Sequence, residues 1–324
     1  MLFRSESQEV QYATSAHEIN YLNLDIQHSG ETLPFDGRPL YEDVSSTFYG
    51  CYYLTNTDKG DATNYIFKVE KPYGDFPLWG IVSYTYGEAN VINEGTSSQA
   101  SSNWRYMEAF DPNDLTLSAS DFQVRHRGMI NLNYEFNRNN RWSTVVSVYW
   151  NRQSGKPWSN YYGYWNSASI NNDYQTYNDL IYVPTGPDDV VITNGTWEQL
   201  EAYLSSVDIL KYAGSYAPRN ASQQPYVTQT DLGIRQNIPI PGDSSLQISL
   251  DIANFWNLID SNSGLVQYAY FGYFPSVTYR GMTEDGLPIY QLSNAITDPE
   301  NNSPYEYNYL NSRWKLRLGL RWSF

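Results

Sequence analysis

The chain has 324 residues and a formal net charge of −15, with 17% charged residues, 16% aromatic residues and 31 tyrosines. The acidic balance excludes a nucleic-acid binder, because phosphate backbones are held by clustered lysine and arginine. The single cysteine, Cys51, excludes an internal disulfide, and the lack of a CxxC motif or Cys/His cluster argues against a structural zinc site. Few charges with many Tyr, Asn and Ser residues are typical of a sheet that has lipid on one face and a watery lumen on the other.

Membrane-spanning segments of this chain have to be sought in strands. The sequence has no stretch of about 18 apolar residues, so no transmembrane helix is predicted. A transmembrane strand needs only alternate apolar side chains. The first residues, Met1–Gln8, do not form a signal peptide. Because export to an outer membrane requires one, we expect the sequence to be truncated upstream.

Alternation of apolar and polar residues marks strands along most of the chain. The first predicted strand lies within residues 10–27, and Thr63–Val69 and Leu78–Glu88 follow, although Trp79 and Ile81 break the strict alternation. The later predicted strands are Arg125–Phe136, Trp142–Trp150, Asp231–Ile238, Leu246–Ile252 and Arg313–Phe324. One helix is predicted over Thr196–Leu210, with Thr196 as its N-cap.

The last predicted strand alternates most clearly, with apolar even positions and mostly basic odd positions. The apolar set is Trp314, Leu316, Leu318, Leu320, Trp322 and Phe324. We expect these side chains to face lipid. The strand and its terminal aromatic residue also resemble the signal that the barrel-assembly machinery reads on outer-membrane barrels.

The connections between predicted strands alternate strictly between short and long. Those near 71–77, 137–140 and 239–245 are short, whereas those near 28–61, 89–122, 153–224 and 257–310 span tens of residues. Outer-membrane barrels have short periplasmic turns and long extracellular loops. The predicted fold is therefore all-β, with about eight antiparallel transmembrane barrel strands and long extracellular loops, in the outer membrane of a Gram-negative bacterium.

Several short stretches of the chain resemble the barrel of an Oar-like TonB-dependent receptor. In chain order they are Tyr84–Ala89, Ser102–Trp104, Asp121–Arg127, Ser154–Trp158, Asn178–Pro184, Pro218–Asn220, Leu250–Asn257 and Leu318–Phe324. Each stretch is short, and the resemblance rests on their order and spacing over residues 60–324. It implies that residues 1–324 are the C-terminal part of a barrel of about 22 strands.

The resemblance also implies a function and a set of partners. Such receptors carry ligands into or out of the cell across the outer membrane. Their plug and N-terminal regulatory-like domain are absent from residues 1–324, so the TonB complex would be contacted only through the missing plug. The implied partners are outer-membrane lipid, the barrel-assembly machinery and an unidentified peptide, glycan or siderophore-like ligand. No enzymatic activity and no cofactor are implied.

Charges of both signs lie on the polar face of the predicted strands. They are Arg125, Arg127, Glu135, Asp231, Arg235, Asp251, Lys315, Arg317 and Arg321. In a wide barrel these side chains would face water or a plug. A closed barrel of about eight strands has an interior filled by side chains, where unpaired charge is costly. An open sheet in lipid would leave two unsatisfied edges, so we expect a piece of a wide barrel that is not stable alone in a membrane.

One loop carries an aromatic run that we interpret as a candidate ligand-binding surface. Its aromatic residues are Trp158, Tyr161, Tyr162, Tyr164 and Trp165. Tyrosine and tryptophan combine a large contact area with a hydrogen-bonding tip. The alternative is that these residues pack the loops against each other or sit in the outer aromatic girdle. The run Tyr268–Phe274 has the same two interpretations.

No catalytic or metal-binding pattern stands out in the sequence. Acidic pairs are scattered through loops without the spacing of a glycosidase site. The loop acids near Asp111–Asp114 and Asp188–Asp189 do not match a calcium loop and are expected to be solvated turn residues. His126 is expected to be a residue of the lumen mouth or of an interface.

Two further functions remain open at this point. The chain could be a self-contained small outer-membrane barrel that acts as an adhesin or a pore. It could also be a soluble β-rich module that binds a glycan or a peptide. A signal peptide immediately upstream would favour the first, and a monodisperse protein without detergent would favour the second.

Overall fold

A computed structural model describes residues 4–5, 9–13, 18–46, 50–138, 141–164, 169–242, 244–269 and 275–324. Most of the secondary structure is strand, and the predicted all-β class is confirmed. Two regions can be distinguished. One is a large antiparallel sheet, and the other is built from the long connections between its strands.

The large sheet follows the order of the chain, with each strand antiparallel to the next. Its first strand, β1, is described as two segments, Arg4–Ser5 and Glu9–Ala13, which both pair with the second strand. The other strands are β2 (Asp61–Lys71), β3 (Leu78–Val91), β4 (His126–Phe136), β5 (Thr144–Gln153), β6 (Val227–Pro239), β7 (Ser245–Ala253) and β8 (Lys315–Ser323).

The register of the sheet gathers the apolar side chains into continuous rows on one face. In one row, running from β4 to β8, Leu132 lies opposite Val148, which is followed by Leu232, Ile252 and Leu316. Successive residues of a strand point to opposite faces. The alternation that predicted the strands therefore becomes one apolar face and one polar face.

The connections alternate in length as the sequence predicted. Short connections join β2 to β3, β4 to β5 and β6 to β7, and long ones join β1 to β2, β3 to β4, β5 to β6 and β7 to β8. Because the strands are antiparallel, all long connections emerge at the same end of the sheet. In outer-membrane barrels this end is extracellular.

The long connections together form a second structured region, which we call the cap. We define the cap as the described parts of residues 18–60, 92–125, 154–226 and 254–314. Its longer strands are Glu18–Asn23, Ile26–Thr32, Pro39–Asp43, Tyr52–Thr57, Tyr161–Tyr164, Pro275–Met282 and Pro288–Leu292. Its short strands are Ser118–Ala119, Pro157–Trp158, Tyr182–Val183, Val191–Ile192, Ser215–Tyr216, Ser222–Gln223, Gln267–Ala269 and Tyr305–Tyr307.

The cap also contains the helices. They are α1 (Ala100–Arg105), α2 (Trp197–Ser206), α3 (Phe255–Ile259), α4 (Asn294–Thr297) and α5 (Tyr309–Ser312), with 3-10 turns at Pro187–Asp189 and Leu210–Tyr212. The predicted helix is α2, which ends at Ser206 and not at Leu210. Thr196 caps it, since its side chain accepts from Gln199 N and the Gln199 side chain accepts from Thr196 N. In the described part of the chain, no helix has both the length and the apolar character that crossing a membrane requires.

The hydrophobic core of the molecule lies in the cap. Its largest cluster draws on three of the long connections, with Leu33 from the first, Ile181 and Leu204 from the third, and Val277 and Leu292 from the fourth. Parallel pairing ties the third connection to the fourth, because Tyr161–Tyr164 runs beside Pro275–Met282. The long loops are therefore one packed layer above the sheet, although the sequence suggested irregular stretches.

Candidate functional site

The aromatic run predicted as a ligand-binding surface lies mostly inside the cap. Trp158 is buried, and Tyr161 and Tyr162 have no exposed surface. Tyr164 ends the strand Tyr161–Tyr164, and Trp165 lies outside the described residues. The prediction that Trp158, Tyr161 and Tyr162 are offered to a ligand therefore conflicts with their burial in this structure. Their placement favours the alternative, in which the aromatic residues pack the loops together.

Tyr162 shows what holds these rings in place. Its hydroxyl lies 2.6 Å from the Tyr290 hydroxyl and accepts a hydrogen bond from the Tyr182 backbone N–H at 2.9 Å. Burial raises the pKa of Tyr162 well above its ordinary value, so the hydroxyl stays protonated at physiological pH. Buried tyrosines need such partners for their polar tips. Tyr290 lies more than 100 residues further along the chain, so the contact is tertiary.

An arginine with no exposed side-chain surface joins the first and third connections. Arg38 Nη1 lies 2.7 Å from Asp179 Oδ1, and Arg38 Nε lies 2.9 Å from Asp36 Oδ2. A further nitrogen, Nη2, donates to the Leu180 carbonyl, and the guanidinium packs near the rings of Phe110 and Tyr162. Buried charges are tolerated when they are paired and hydrogen-bonded in this way.

The loop acids considered as cation ligands serve as turn residues. Asp111 Oδ1 accepts from the backbone N–H groups of Asn113 and Asp114, and Asp189 Oδ2 accepts from the Thr185 backbone N–H and hydroxyl. Such side-chain bonds to nearby backbone are usual for aspartate in turns. Among the described residues, no cluster of three or more His, Cys, Asp or Glu side chains could hold a metal ion.

The apolar face of the large sheet is exposed or half-exposed along β2–β8. Leu318 is 72% exposed and Leu320 is 73% exposed. The whole set predicted to face lipid is exposed, namely Trp314, Leu316, Leu318, Leu320, Trp322 and Phe324. Among the residues whose burial the structure describes, none of the buried apolar residues belongs to β2–β8. A water-soluble sheet would bury one face against a core, so this face requires an apolar surrounding.

The opposite face of the sheet is hydrophilic and hydrogen-bonded across strands. Ser147 Oγ donates to Asn133 Oδ1 at 2.7 Å, and Gln247 Nε2 donates to Asn237 Oδ1 at 2.9 Å. The charged residues of the strands share this face by register, for example Asp251 opposite Arg317. The two faces together are those of a transmembrane barrel wall, with lipid outside and water inside.

A comparison with protein families bears out this interpretation. The family model of an outer membrane beta barrel domain matches residues 65–266, which is more than half of the chain. The chain belongs to this family of outer-membrane β-barrel domains. No curated protein and no solved structure gives a significant match. The predicted location, the outer membrane of a Gram-negative bacterium, is confirmed by the family.

The barrel domain places His126 at the cap end of its outer face. His126 Nδ1 lies 2.7 Å from the Tyr84 hydroxyl, and its ring packs near Tyr86. Tyr65 lies opposite Tyr86 on the neighbouring strand. These tyrosine and histidine rings form a belt at the cap ends of β2, β3 and β4, beyond the apolar rows of the sheet. Such a belt is expected at a membrane–water boundary. The interface interpretation of His126 is thereby supported.

The sequence did not indicate a polar cavity between the barrel domain and its cap. This cavity has a volume of about 510 Å³ and is lined by Arg125, Lys211 and Arg219 among others. Arg219 also lines a smaller cavity of about 190 Å³ beside Glu108. Burial, with Asp121 as a second cause, raises the pKa of Glu108 to about 7. In the sequence, Pro218–Asn220 stands out only as one of the stretches that resemble Oar-like receptors. Its residue types and spacing do not indicate a cavity.

Proposed function

We propose that the barrel domain is the C-terminal part of the barrel of a TonB-dependent receptor, which passes a ligand across the outer membrane. The observation that carries this proposal is a lipid-facing sheet whose polar face bears charges of both signs and whose two edges are open. The stretches that resemble Oar-like receptors lie in this sheet and in its cap. The proposal assigns transport and not catalysis to the protein.

The edges of the sheet support a wider barrel. In the residues that the structure describes, β8 pairs with β7 alone and β1 pairs with β2 alone. Unpaired backbone N–H and C=O groups are not tolerated in hydrocarbon. We infer that further strands satisfy β1 and β8 in a membrane. A barrel of about 22 strands would contain this sheet as one part of its wall.

The charges of the polar face support a wide lumen. Charged side chains of both signs lie on this face within the described strands, among them Lys68, Glu70, Arg127, Glu135, Asp231, Arg235, Asp251, Lys315, Arg317 and Arg321. In a barrel of about eight strands they would fill a narrow interior, where imperfect pairing is costly. A wide barrel leaves them facing water or a plug. The self-contained small barrel is therefore the less favoured proposal.

The proposed partners follow from the proposed function. Outer-membrane lipid would contact the apolar face of the sheet, which includes Leu316 and Leu318. The barrel-assembly machinery would recognise β8 with its terminal Phe324. The TonB complex would act through the plug of such receptors. The ligand would enter from the side of the cap, in either direction of transport.

The proposal is tested on the natural protein in its own outer membrane. Antibodies raised against the peptide Trp197–Ser206, which has an exposed face at Glu198, Glu201 and Ser205, are used to detect the product that contains this chain. The solubilised product is then passed over the immobilised periplasmic domain of TonB. We expect a product of about 900 residues, as a barrel of roughly 22 strands with its loops requires, and retention by TonB. A product near 37.3 kDa that TonB does not retain contradicts the proposal and favours a self-contained barrel.

A further inference from the structure

The cavity between the cap and the barrel wall carries an excess of positive charge. It opens where β3 and β4 meet the cap, and its lining includes Arg125, Lys211 and Arg219 but only one carboxylate, Asp208. The chain as a whole has a net charge of −15. A cationic cavity in an acidic protein concentrates anions, because the field lines focus in a cleft with low-dielectric walls.

Arg219 is built into the wall of this cavity. The residue is only 5% exposed, and its Nη2 donates to the carbonyls of Val91 and Ile92 at 2.7 and 3.4 Å. These two bonds fix the plane of the guanidinium at the end of β3. Its Nη1 is buried and has no hydrogen-bond partner within the described part of the molecule. A buried guanidinium nitrogen without a partner is costly, and an anion beside it would remove that cost.

Two other cations face the same space. Arg125 precedes β4, and its Nε is also buried without a partner among the described residues. Its Nη2 lies 3.7 Å from Glu88 Oε1. Lys211 is paired with Asp208 at 2.6 Å on the exposed rim. Glu108 shares the smaller cavity with Arg219. Burial raises the pKa of Glu94 and of Glu108, and the charge of Arg219 offsets only part of this rise.

The uncharged part of the lining combines amides and hydroxyls with small apolar residues. Asn90, Gln123, Asn220 and Gln223 supply amides, Ser118 and Ser222 supply hydroxyls, and Tyr212 supplies the aromatic ring. Amides and hydroxyls of this kind match the hydroxyl groups of a sugar, and an arginine fork matches a carboxylate. A volume of about 510 Å³ is within the usual range of ligand cavities.

We propose that this cavity binds a carboxylated sugar, with Arg219 and Arg125 holding the carboxylate and Lys211 attracting it at the rim. The proposed binding of the sugar depends only on the cavity and does not require that the protein is an energised transporter. Only the further step, that the bound sugar is the cargo, rests on the proposed function. A loss of binding and a loss of TonB retention are therefore separate results.

The test uses the natural protein purified from outer membranes in detergent. Binding of cellobiouronic acid is measured by calorimetry beside cellobiose, which has the same two rings without the carboxylate. We expect cellobiouronic acid to bind about ten-fold more tightly than cellobiose, the factor for one good charge-assisted contact, and to weaken as salt is added. Equal binding of the two sugars, or no binding of either, overturns the proposal.

Matched variants locate the site. Lys211→Glu reverses a charge on the cavity rim, and Lys59→Glu makes the same change at an exposed residue outside the cavity lining. We expect Lys211→Glu to weaken binding of cellobiouronic acid about five-fold or more and Lys59→Glu to leave it unchanged. Arg219→Gln is expected to remove most of the binding, and Lys211→Glu keeps the test decisive if that variant does not fold. Equal effects of the two lysine variants overturn the assignment of the site.

Discussion

The barrel wall and the cap are made from the same chain with opposite distributions of apolar side chains. In β2–β8 most apolar residues are turned outward and are exposed or half-exposed, whereas in the cap residues such as Leu204 and Ile181 are buried. The difference reflects two solvents. The wall is stabilised by lipid around it, while the cap stands in water and needs a hydrophobic core of its own. Changes that bury, expose or charge a side chain should therefore have opposite effects in the two regions.

The largest expected effect is in the cap, at Arg38. Arg38→Met removes the partner of Asp36 and Asp179 and leaves both carboxylates buried without their cation. We expect a loss of about 3–5 kcal/mol in the free energy of unfolding of the cap. Limited proteolysis of the protein in membrane vesicles should cut within the cap and spare the sheet. Lys59→Met serves as the control. Equal protease resistance of both variants would contradict the structural role of Arg38.

The next effect is in the wall and compares neighbouring residues on opposite faces. Leu132→Lys places a charge in the apolar row of β4, whereas Asn131→Lys places it on the polar face. We expect Leu132→Lys to destabilise the folded barrel by about 2–4 kcal/mol if the row lies at the bilayer midplane, and Asn131→Lys to have a much smaller effect. The folded fraction is measured by electrophoresis of unheated membrane samples. Similar losses for both variants would show that the assignment of the two faces is wrong.

A smaller effect concerns Glu108 and the pH dependence of cap stability. Because the pKa of Glu108 is raised to about 7 in the folded protein, the folded state retains a proton that the unfolded state loses at lower pH. Stability is therefore full below the ordinary pKa of glutamate and falls as the pH rises through about 7.

We expect Glu108→Gln to flatten this fall and to stabilise the cap at pH 8 by about 1–3 kcal/mol. Thermal melting at pH 5 and pH 8 provides the measurement. Glu201→Gln, at an exposed position of α2, is the control and should leave the fall unchanged. If Glu108→Gln melts with the same pH dependence as the unaltered protein, another group causes the fall.

The smallest expected effect is on the stability of the cap at the N-terminus of helix α2. Thr196→Ala removes the side chain that accepts from Gln199 N at the start of α2. We expect a loss of about 1 kcal/mol, the usual value of an N-cap, and faster hydrogen exchange of the first amides of α2. Ser205→Ala, at an exposed site near the other end of the helix, should change neither. Unaltered exchange in Thr196→Ala would mean that tertiary packing alone holds α2.

The wall could be predicted from the sequence because its signals are local. In a strand, the face of a side chain depends only on whether its position is odd or even, so Leu316 and Leu318 could be placed on the same face without any knowledge of their neighbours. Short and long connections were likewise visible in the spacing of the strands. Trp79 and Ile81 departed from the rule, because they lie on the polar face of β3, opposite Asn133 and Asn131.

The cap could not be predicted, because its contacts join residues far apart in the chain. The aromatic run at Trp158, Tyr161 and Tyr162 has the same composition whether it is offered to a ligand or enclosed by Tyr290 and its neighbours. Similarly, Arg38 and Asp179 are ordinary loop residues until folding brings them together, and Arg219 meets Arg125 only in a cavity.

The sequence by itself determined the class of the protein and the two faces of its sheet, since alternation and loop length are properties of neighbouring residues. Only the tertiary structure decided which loop residues are buried, which are paired and which line a cavity. Burial depends on what covers a side chain, and in the cap the covering residues come from other connections more than 100 residues away, as the bond between Tyr162 and Tyr290 illustrates.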